Sequence, residues 1–256
     1  MIYRKIEGKG QDIVLLHGWT ADHAYMAPVA ELLFPNFRVT NMDLPGCGKS
    51  GWDPACKNIH EISDLLIPYL PKKTILIGWS FGGCVAVSIA ARHPERVSRL
   101  IGICTTPRFT EGKDWPGVPY PGFHASYGKA KEMGLKAYMH AYFDSEFASF
   151  HPKPEPYHRL IRLLDTQPSM DLAIWMAGLK ILDASDLRKE FSSIQCPIDF
   201  ILGGLDSSVP LEIGEKLKTL NENCAIHSIP SAGHLPLWTN PEEFNQVLRG
   251  ILRGCC

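Results

Sequence analysis

Residues 78–82 read Gly-Trp-Ser-Phe-Gly, and this pentapeptide constrains the fold more than any other stretch of the chain. An apolar, β-branched run at 73–77 precedes it and is typical of a buried strand, and a run rich in small residues at 83–93 follows it and is typical of a helix. Strand, G-x-S-x-G and helix form the pattern of a nucleophile elbow, a strained turn that raises a serine hydroxyl above the edge of a parallel sheet. The pattern therefore predicts Ser80 as a nucleophile.

A serine nucleophile needs a general base, and His234 is the histidine best placed to serve. It lies between a predicted strand at 224–229 and a predicted helix at 241–253, at the sheet edge where ligands bind in open α/β folds. His227 is the competing base, but it falls inside the strand, where it packs or faces solvent. The remaining candidates fit less well, since His60 and His93 are helical and typical of a surface.

The acid that orients the base is expected just after the preceding strand, at 197–203. Asp206 follows this strand in a glycine-rich turn, and it gives the chain order Ser, Asp, His that this architecture uses. Asp199 is the alternative, although its place within the strand directs it at a sheet face. Asp183 and Asp186 precede the strand and are typical of helix ends.

An oxyanion hole requires two backbone N–H groups directed at the developing negative charge. Phe81 supplies the first as the residue after the nucleophile, at the N-terminus of a helix. Trp19 is expected to supply the second, from the loop 17–19 that follows the predicted strand 12–16. Its large side chain is also suited to packing beneath a covering segment, and the two roles are compatible.

Strands and helices alternate along the chain, which predicts right-handed βαβ units and a mostly parallel sheet with helices on both faces. After a short strand at the N-terminus, predicted strands lie at 12–16, 37–42, 73–78, 97–104, 197–203 and 224–229. Predicted helices lie near 22–34, 58–69, 81–93, 210–221 and 241–253.

One gap interrupts the alternation, because about 90 residues between Cys104 and Cys196 contain helical patches and no clear strand. We expect residues 1–105 and 186–256 to form the α/β core. Residues 106–185 are expected to form an inserted helical lid above Ser80.

The predicted lid is rich in aromatic residues, most of which are expected to hold its helices together. A few should line an apolar acyl channel, and Tyr138, Met139 and Tyr142 are candidates because helical spacing places them on one face. Basic residues also cluster in the lid, either as solvated helix faces or as a dock for an acidic carrier. They are Lys129, Lys131, Lys136, His158, Arg159 and Arg162.

Composition and motifs argue against several classes of partner and cofactor. The formal net charge of −1 argues against nucleic acid or an anionic membrane as the main partner. The chain has no H-E-x-x-H, C-x-x-C or G-x-G-x-x-G pattern, so no metal or other cofactor is expected. Residues 43–50 end in Gly-Lys-Ser, but they lack the first glycine of a phosphate-binding loop and contain a proline, so a tight turn is predicted there.

The eight cysteines show no disulfide-like spacing, which favours a reducing cytoplasm. No signal-like or membrane-spanning apolar run is present, and the terminal Cys255-Cys256 lacks the prenylation pattern. A frayed tail with two exposed thiols is expected there.

The chain resembles the α/β-hydrolase superfamily throughout, and within it the esterases that hydrolyse pimeloyl-acyl-carrier-protein methyl ester in biotin synthesis. The motifs that carry this resemblance are Leu15-Leu16-His17-Gly18-Trp19, Asp43-Leu44-Pro45-Gly46, Gly78-Trp79-Ser80-Phe81-Gly82-Gly83, His93-Pro94-Glu95-Arg96-Val97, Asp114-Trp115-Pro116-Gly117 and Gly178-Leu179-Lys180-Ile181-Leu182. Gly-Trp-Ser together with Asp-Trp-Pro-Gly is the most specific pair.

The resemblance implies a cytoplasmic monomer without a cofactor that acts on an acyl chain carried by acyl carrier protein. It implies a triad of Ser80, Asp206 and His234 with oxyanion donors Trp19 and Phe81. The family's substrate-lining stretch corresponds to Tyr138, Met139, His140, Ala141 and Tyr142, next to Trp19, Ser80, Phe81 and His234. The family binds its carrier through lid arginines, whereas the equivalent region here offers mainly lysines.

Three other functions remain open at this stage. A short-chain carboxylesterase, or a hydrolase of lactones or carbon–carbon bonds, would share the fold. A dehalogenase would need an aspartate at position 80. A non-catalytic binding module on this scaffold is the alternative of another class, since fold does not determine function.

Overall fold

The computed structural model describes residues 1–119 and 122–253, and Cys255 and Cys256 lie outside this range. The chain forms a seven-stranded sheet with the spatial order β1-β3-β2-β4-β5-β6-β7. The strands are β1 Arg4–Glu7, β2 Asp12–Leu16, β3 Arg38–Met42, β4 Thr74–Trp79, β5 Val97–Ile103, β6 Ile198–Gly203 and β7 Cys224–Ile229. Only the edge strand β1 is antiparallel to its neighbour, so the predicted mostly parallel sheet is confirmed.

Helices cover the sheet and fill the long gap after β5. They are α1 Ala27–Leu33, α2 Ile59–Leu66, α3 Phe81–Arg92, α4 Gly122–Met133, α5 Leu135–Glu146, α6 Glu155–Thr166, α7 Leu172–Ala184, α8 Arg188–Ser193, α9 Ile213–Leu220, α10 Pro236–Thr239 and α11 Pro241–Arg253. The short helices α8 and α10 are not predicted by the sequence, because six and four residues are too few for a clear helical period.

The central strands are formed by apolar runs that the sheet buries on both faces. Every residue of β4 and of β6 is buried, as expected for parallel strands covered by helices on two sides. Two apolar clusters lie on opposite faces of the sheet, and α3 belongs to the one that also contains α2 and α8. Packing on both faces of the sheet therefore fixes β2, β4 and β6, whose carboxyl ends lead into the loops of the predicted site residues.

The segment between β5 and β6 leaves the sheet and returns close to its starting point. The N–H of Leu187 donates a 2.8 Å hydrogen bond to the carbonyl of Pro107, and Arg108 pairs with Asp186 at 3.0 Å. These contacts join residues 107–108 to residues 186–187, and helices α4 to α7 lie between them in the chain. No helix within 1–119 or 122–253 combines the length and apolar character needed to cross a membrane.

Candidate active site

Ser80 occupies the turn between β4 and α3, in a backbone conformation that side chains rarely adopt. Its φ is 53°, its N–H donates to the carbonyl of Ile103 at 2.9 Å, and its own carbonyl accepts from the Thr105 hydroxyl at 2.7 Å. A Cβ at Gly78 would lie 2.4 Å from the carbonyl oxygen of Gly82, so only glycine fits where strand and helix meet. These contacts hold a strained conformation that costs on the order of 1–3 kcal/mol.

The imidazole of His234 bridges Ser80 and Asp206. Its Nε2 lies 2.8 Å from the Ser80 hydroxyl, and its Nδ1 lies 2.7 Å from one carboxylate oxygen of Asp206. The other oxygen of Asp206 accepts the N–H groups of Ser208 at 2.8 Å and Val209 at 3.0 Å. A carboxylate so bonded is held as an acceptor, which fixes the histidine proton on Nδ1 and leaves Nε2 to accept from the serine.

Two neighbouring carboxylates raise the pKa of His234 by more than burial lowers it. Burial lowers the pKa of His234, but the charge of Asp206, its hydrogen bond and the charge of Glu146 together raise this pKa above the ordinary value. An imidazolium that forms during proton transfer is therefore stabilised at this position.

The loop 17–19 is anchored by a neutral histidine. His17 Nδ1 donates to the carbonyl of Gly18 at 2.7 Å, and Nε2 accepts the N–H of Leu44 at 2.9 Å. Burial is the main cause that lowers the pKa of His17, in keeping with a neutral ring that both donates and accepts. Within residues 1–119 and 122–253, the N–H groups of Trp19 and Phe81 have no protein acceptor. An oxyanion hole requires such unpaired donors, and the assignment of these two N–H groups to it stays a prediction.

The side chain of Trp19 packs beneath the segment 106–185, as its alternative role predicts. Its indole N–H donates to the carbonyl of Trp175 in α7 at 2.9 Å, and its ring lies 4.9 Å from that of Phe81. The side chain of Phe81 is fully buried, and Phe81 does not line the cavity above Ser80, although the sequence analysis places it in the substrate site.

An apolar cavity of about 160 Å³ lies above Ser80 and contains six of the predicted site residues, namely Trp19, Ser80, Tyr138, Met139, Tyr142 and His234. The cavity is also lined by Phe123, Phe143 and Trp175, which belong to the aromatic residues expected in the lid, and by residues that the sequence did not single out, among them Phe109, Leu179 and Leu182. Such a lining suits an acyl chain.

His140 and Ala141 are not brought to this cavity. His140 Nε2 lies 2.8 Å from a carboxylate oxygen of Asp165, and Ala141 is exposed. The reason is helical geometry, because positions 138, 139 and 142 of α5 share a face and 140 and 141 do not. The five-residue stretch therefore divides into a cavity face and an outer face.

Glu146 is a polar residue near the site that sequence reasoning missed. It ends α5, and its carboxylate accepts the backbone N–H of His234 at 2.8 Å. No motif marks such a residue, because it lies 88 positions from the histidine and binds the backbone.

Two groups of described side chains each bring three possible metal-ligating atoms within 4.8 Å of one another. They are Cys104-Asp206-His234 and Asp22-His23-Asp43. Hydrogen bonds inside the protein account for the closest approaches in both, so we assign no metal site to either.

Comparison with known proteins gives matches over nearly the whole chain. Residues 13–247 match the model described as the Alpha/beta hydrolase family. A pimeloyl-[acyl-carrier protein] methyl ester esterase of Pseudoalteromonas atlantica is 31% identical over 239 residues, which are 93% of this chain and 92% of that protein. The protein of the same name from Shewanella sp. (strain MR-7) is 33% identical over 243 residues, covering 94% of this chain and 90% of that one.

Solved structures agree on the fold. An esterase from Exiguobacterium antarcticum superposes with a TM-score of 0.86 at 22% identity, covering 98% of this chain and 95% of that one. At that identity the likeness concerns the fold alone.

Proposed function

The chain belongs to the alpha/beta hydrolase family, and on that premise we propose that it is a serine carboxylesterase acting on the methyl ester of pimeloyl-acyl carrier protein in biotin synthesis. The observation that carries this proposal is the His234 imidazole, hydrogen-bonded to Ser80 on one side and to Asp206 on the other beneath an apolar cavity. The names of the two relatives support the substrate.

In the first step Ser80 Oγ attacks the ester carbonyl while His234 Nε2 takes the hydroxyl proton. A carbon–oxygen bond forms to Ser80, and the carbonyl oxygen becomes an anion facing the N–H groups of Trp19 and Phe81. The intermediate collapses with cleavage of the bond to the methoxy group. The proton on His234 passes to that group, so methanol leaves and Ser80 is acylated.

In the second step water takes the place of methanol. His234 removes a proton from the water, which attacks the acyl carbonyl, and the bond to Ser80 Oγ breaks as the histidine returns the proton to that oxygen. The product is a free carboxylic acid at the end of the acyl chain. Asp206 stays ionised throughout and stabilises the imidazolium in both steps.

Residues 106–185 act as the lid of this site in our proposal. Their helices α5 and α7 supply the apolar side chains that face Ser80, among them Tyr138, Tyr142 and Trp175. An apolar lining suits the methylene chain of a pimeloyl group, because burying each CH₂ contributes about 0.8 kcal/mol.

The carrier is proposed to dock where α4 meets α5. A surface groove there is lined by Lys131, Lys136 and His140. A smaller pocket lies between this groove and the active-site cavity, because Lys136 lines both the pocket and the groove and Met139 lines both the pocket and the cavity. Lys129 and Lys131 are exposed, while Arg159 is paired with Glu31 and Arg162 with Glu155. Among the clustered basic residues of the lid, Lys129 and Lys131 are therefore the best able to meet an acidic carrier, since Lys136 donates to the carbonyl of Asp165 at 2.9 Å.

The direct experiment incubates the purified protein with pimeloyl-acyl-carrier-protein methyl ester and measures release of methanol and of the free acid. Growth of a biotin auxotroph that lacks its methyl ester esterase, when supplied with this gene, tests the same substrate in cells. We expect turnover and growth with the natural sequence and neither with Ser80→Ala. Hydrolysis of p-nitrophenyl butyrate without either result would identify a general carboxylesterase instead. The monomeric state and the cytoplasmic location stay predictions.

A further inference from the structure

The loop that carries His234 is held by a carboxylate from the opposite side of the site. Glu146 is the last residue of α5, and its Oε2 accepts the backbone N–H of His234 at 2.8 Å. The fit is close, because a Cβ at the preceding Gly233 would lie 2.5 Å from the same oxygen. Glycine at position 233 therefore leaves the space that this carboxylate occupies.

The helix that ends at Glu146 also forms one wall of the cavity. Tyr138, Met139 and Tyr142 line the cavity from α5, and Tyr142 stands one helical turn before Glu146. A helix moves as a unit over so short a length. An acyl chain that contacts this wall is thus connected to the backbone of His234 through one rigid element.

Glu146 also places a second negative charge near the imidazole. The titratable groups that face it are His234 and Asp206 from the core loops, Cys104 from the end of β5, and Tyr142 on its own helix. Burial raises the pKa of Glu146, the imidazole of His234 lowers it and the charge of Asp206 raises it, so that the pKa lies above that of an ordinary glutamate. Two carboxylates therefore flank one histidine, Asp206 at the ring and Glu146 at the backbone.

We propose that Glu146 is a positioning residue for His234, which fixes the histidine loop by its hydrogen bond and favours the imidazolium by its charge. The proposal rests on the proposed function, because it assigns Glu146 a role only if His234 acts as the general base. It connects the covering segment to the catalytic loop.

Two substitutions separate the hydrogen bond from the charge. Glu146→Gln keeps an oxygen that accepts the His234 N–H but removes the charge, and Glu146→Ala removes both. Asp144→Asn is the matched control, since Asp144 lies on the exposed side of the same helix and bonds to the Tyr157 hydroxyl instead. Each variant is measured by the pH dependence of kcat/KM with p-nitrophenyl butyrate and by thermal unfolding.

With Glu146→Gln, the acidic limb of the profile is expected to move to lower pH, because the histidine loses a charge that favours its protonation. Glu146→Ala should also reduce kcat/KM at the optimum by ~10-fold, the effect of one lost hydrogen bond of about 1.4 kcal/mol. Asp144→Asn should match the natural protein in both respects.

A Glu146→Gln profile that superimposes on that of the natural protein overturns the proposal, as does an equal shift with Asp144→Asn. A change in thermal stability alone would show a purely structural role. If Glu146→Ala does not fold, the Glu146→Gln profile decides by itself. Failure of the esterase assignment is recognised separately, because the natural protein would then hydrolyse the ester no faster than Ser80→Ala does.

Discussion

Gly178 of α7 lies directly against the indole of Trp19, so that a Cβ at position 178 would come within 2.0 Å of the ring. The contact joins the helical segment above the site to the loop that presents the Trp19 N–H. It also gives a physical reason for glycine in the Gly-Leu-Lys-Ile-Leu motif. The position of Trp19, the proposed oxyanion donor, thus depends on its packing against α7.

Gly178→Ala is therefore expected to push Trp19 or α7 out of place. We expect the free energy of unfolding to fall by about 1–3 kcal/mol from overpacking. The value of kcat/KM should fall by ~10-fold or more, because the oxyanion donor moves. Gly128→Ala on α4 is the control, since its Cβ would meet no atom within 4 Å, and it should be neutral or slightly stabilising. Equal activity in the two variants, measured with p-nitrophenyl butyrate, would contradict this account of Trp19.

Trp79 holds the other side of the histidine loop, because its indole N–H donates to the carbonyl of His234 at 2.9 Å. Trp79→Phe removes this bond and should lower kcat/KM by ~10-fold, in line with a bond of about 1–1.5 kcal/mol. Trp115→Phe loses a similar bond, to the carbonyl of Arg108 at 2.8 Å, without touching His234. It should lose stability but keep its activity, and a comparable loss of activity in Trp115→Phe would refute the specific role of Trp79.

The charge of Asp206 should appear in both rate and pH dependence. Burial lowers the pKa of His234 and Asp206 raises it, and the base must be neutral, so kcat/KM should fall as pH drops through a value above that of an ordinary histidine. Asp206→Asn should reduce kcat by ~1,000-fold or more through loss of the correct tautomer, and the residual activity should extend to lower pH.

Asp199→Asn tests whether Asp206 or Asp199, the alternative in the sequence, is the acid that orients His234. Asp199 is also buried and lies 2.9 Å from a ring nitrogen of His227, but neither residue reaches Ser80. This variant should retain kcat within about 3-fold even if it is less stable. A collapse of kcat in Asp199→Asn with little change in Asp206→Asn would reverse the assignment.

Charge reversal at Lys129 and Lys131 tests the docking of a carrier. Both side chains are exposed on or next to the groove at α4, so Lys129→Glu with Lys131→Glu should raise KM for the carrier-linked ester by ~10-fold at low salt. Turnover of p-nitrophenyl butyrate should not change. Lys72→Glu with Lys216→Glu is the control, because it changes the net charge equally at two exposed lysines outside the groove, and it should leave both substrates unaffected. A rise in KM with this control as large as with Lys129→Glu and Lys131→Glu would argue against docking at this groove.

The sequence predicts the core of this fold well because its strands are continuous apolar runs. The bounds of β2 and β7 agree with prediction, β3, β5 and β6 differ by one residue at one end, and β4 is shifted by one residue at both ends. Ser80, Asp206 and His234 can be found for a related reason, since each follows a recognisable strand and all such ends meet at one edge of the sheet.

The segment above the site is predicted less well. Helical spacing places Tyr138, Met139 and Tyr142 on one face, and all three line the cavity, but spacing alone does not reveal which face of a helix meets the core. Glu146 escapes prediction altogether, and Gly178 is marked only as part of a family motif, because the importance of both comes from contacts with residues far away in the chain. Long-range packing of this kind leaves no periodic signal in a single sequence.

Active-site labelling with a fluorophosphonate tests the central claim, that His234 activates Ser80, most directly. We expect intact-protein mass spectrometry to show one adduct on the natural protein, located at Ser80 by peptide mapping. Labelling should be lost in Ser80→Ala and greatly slowed in His234→Ala. No adduct on the natural protein, or an undiminished one in Ser80→Ala, would show that this serine is not an activated nucleophile.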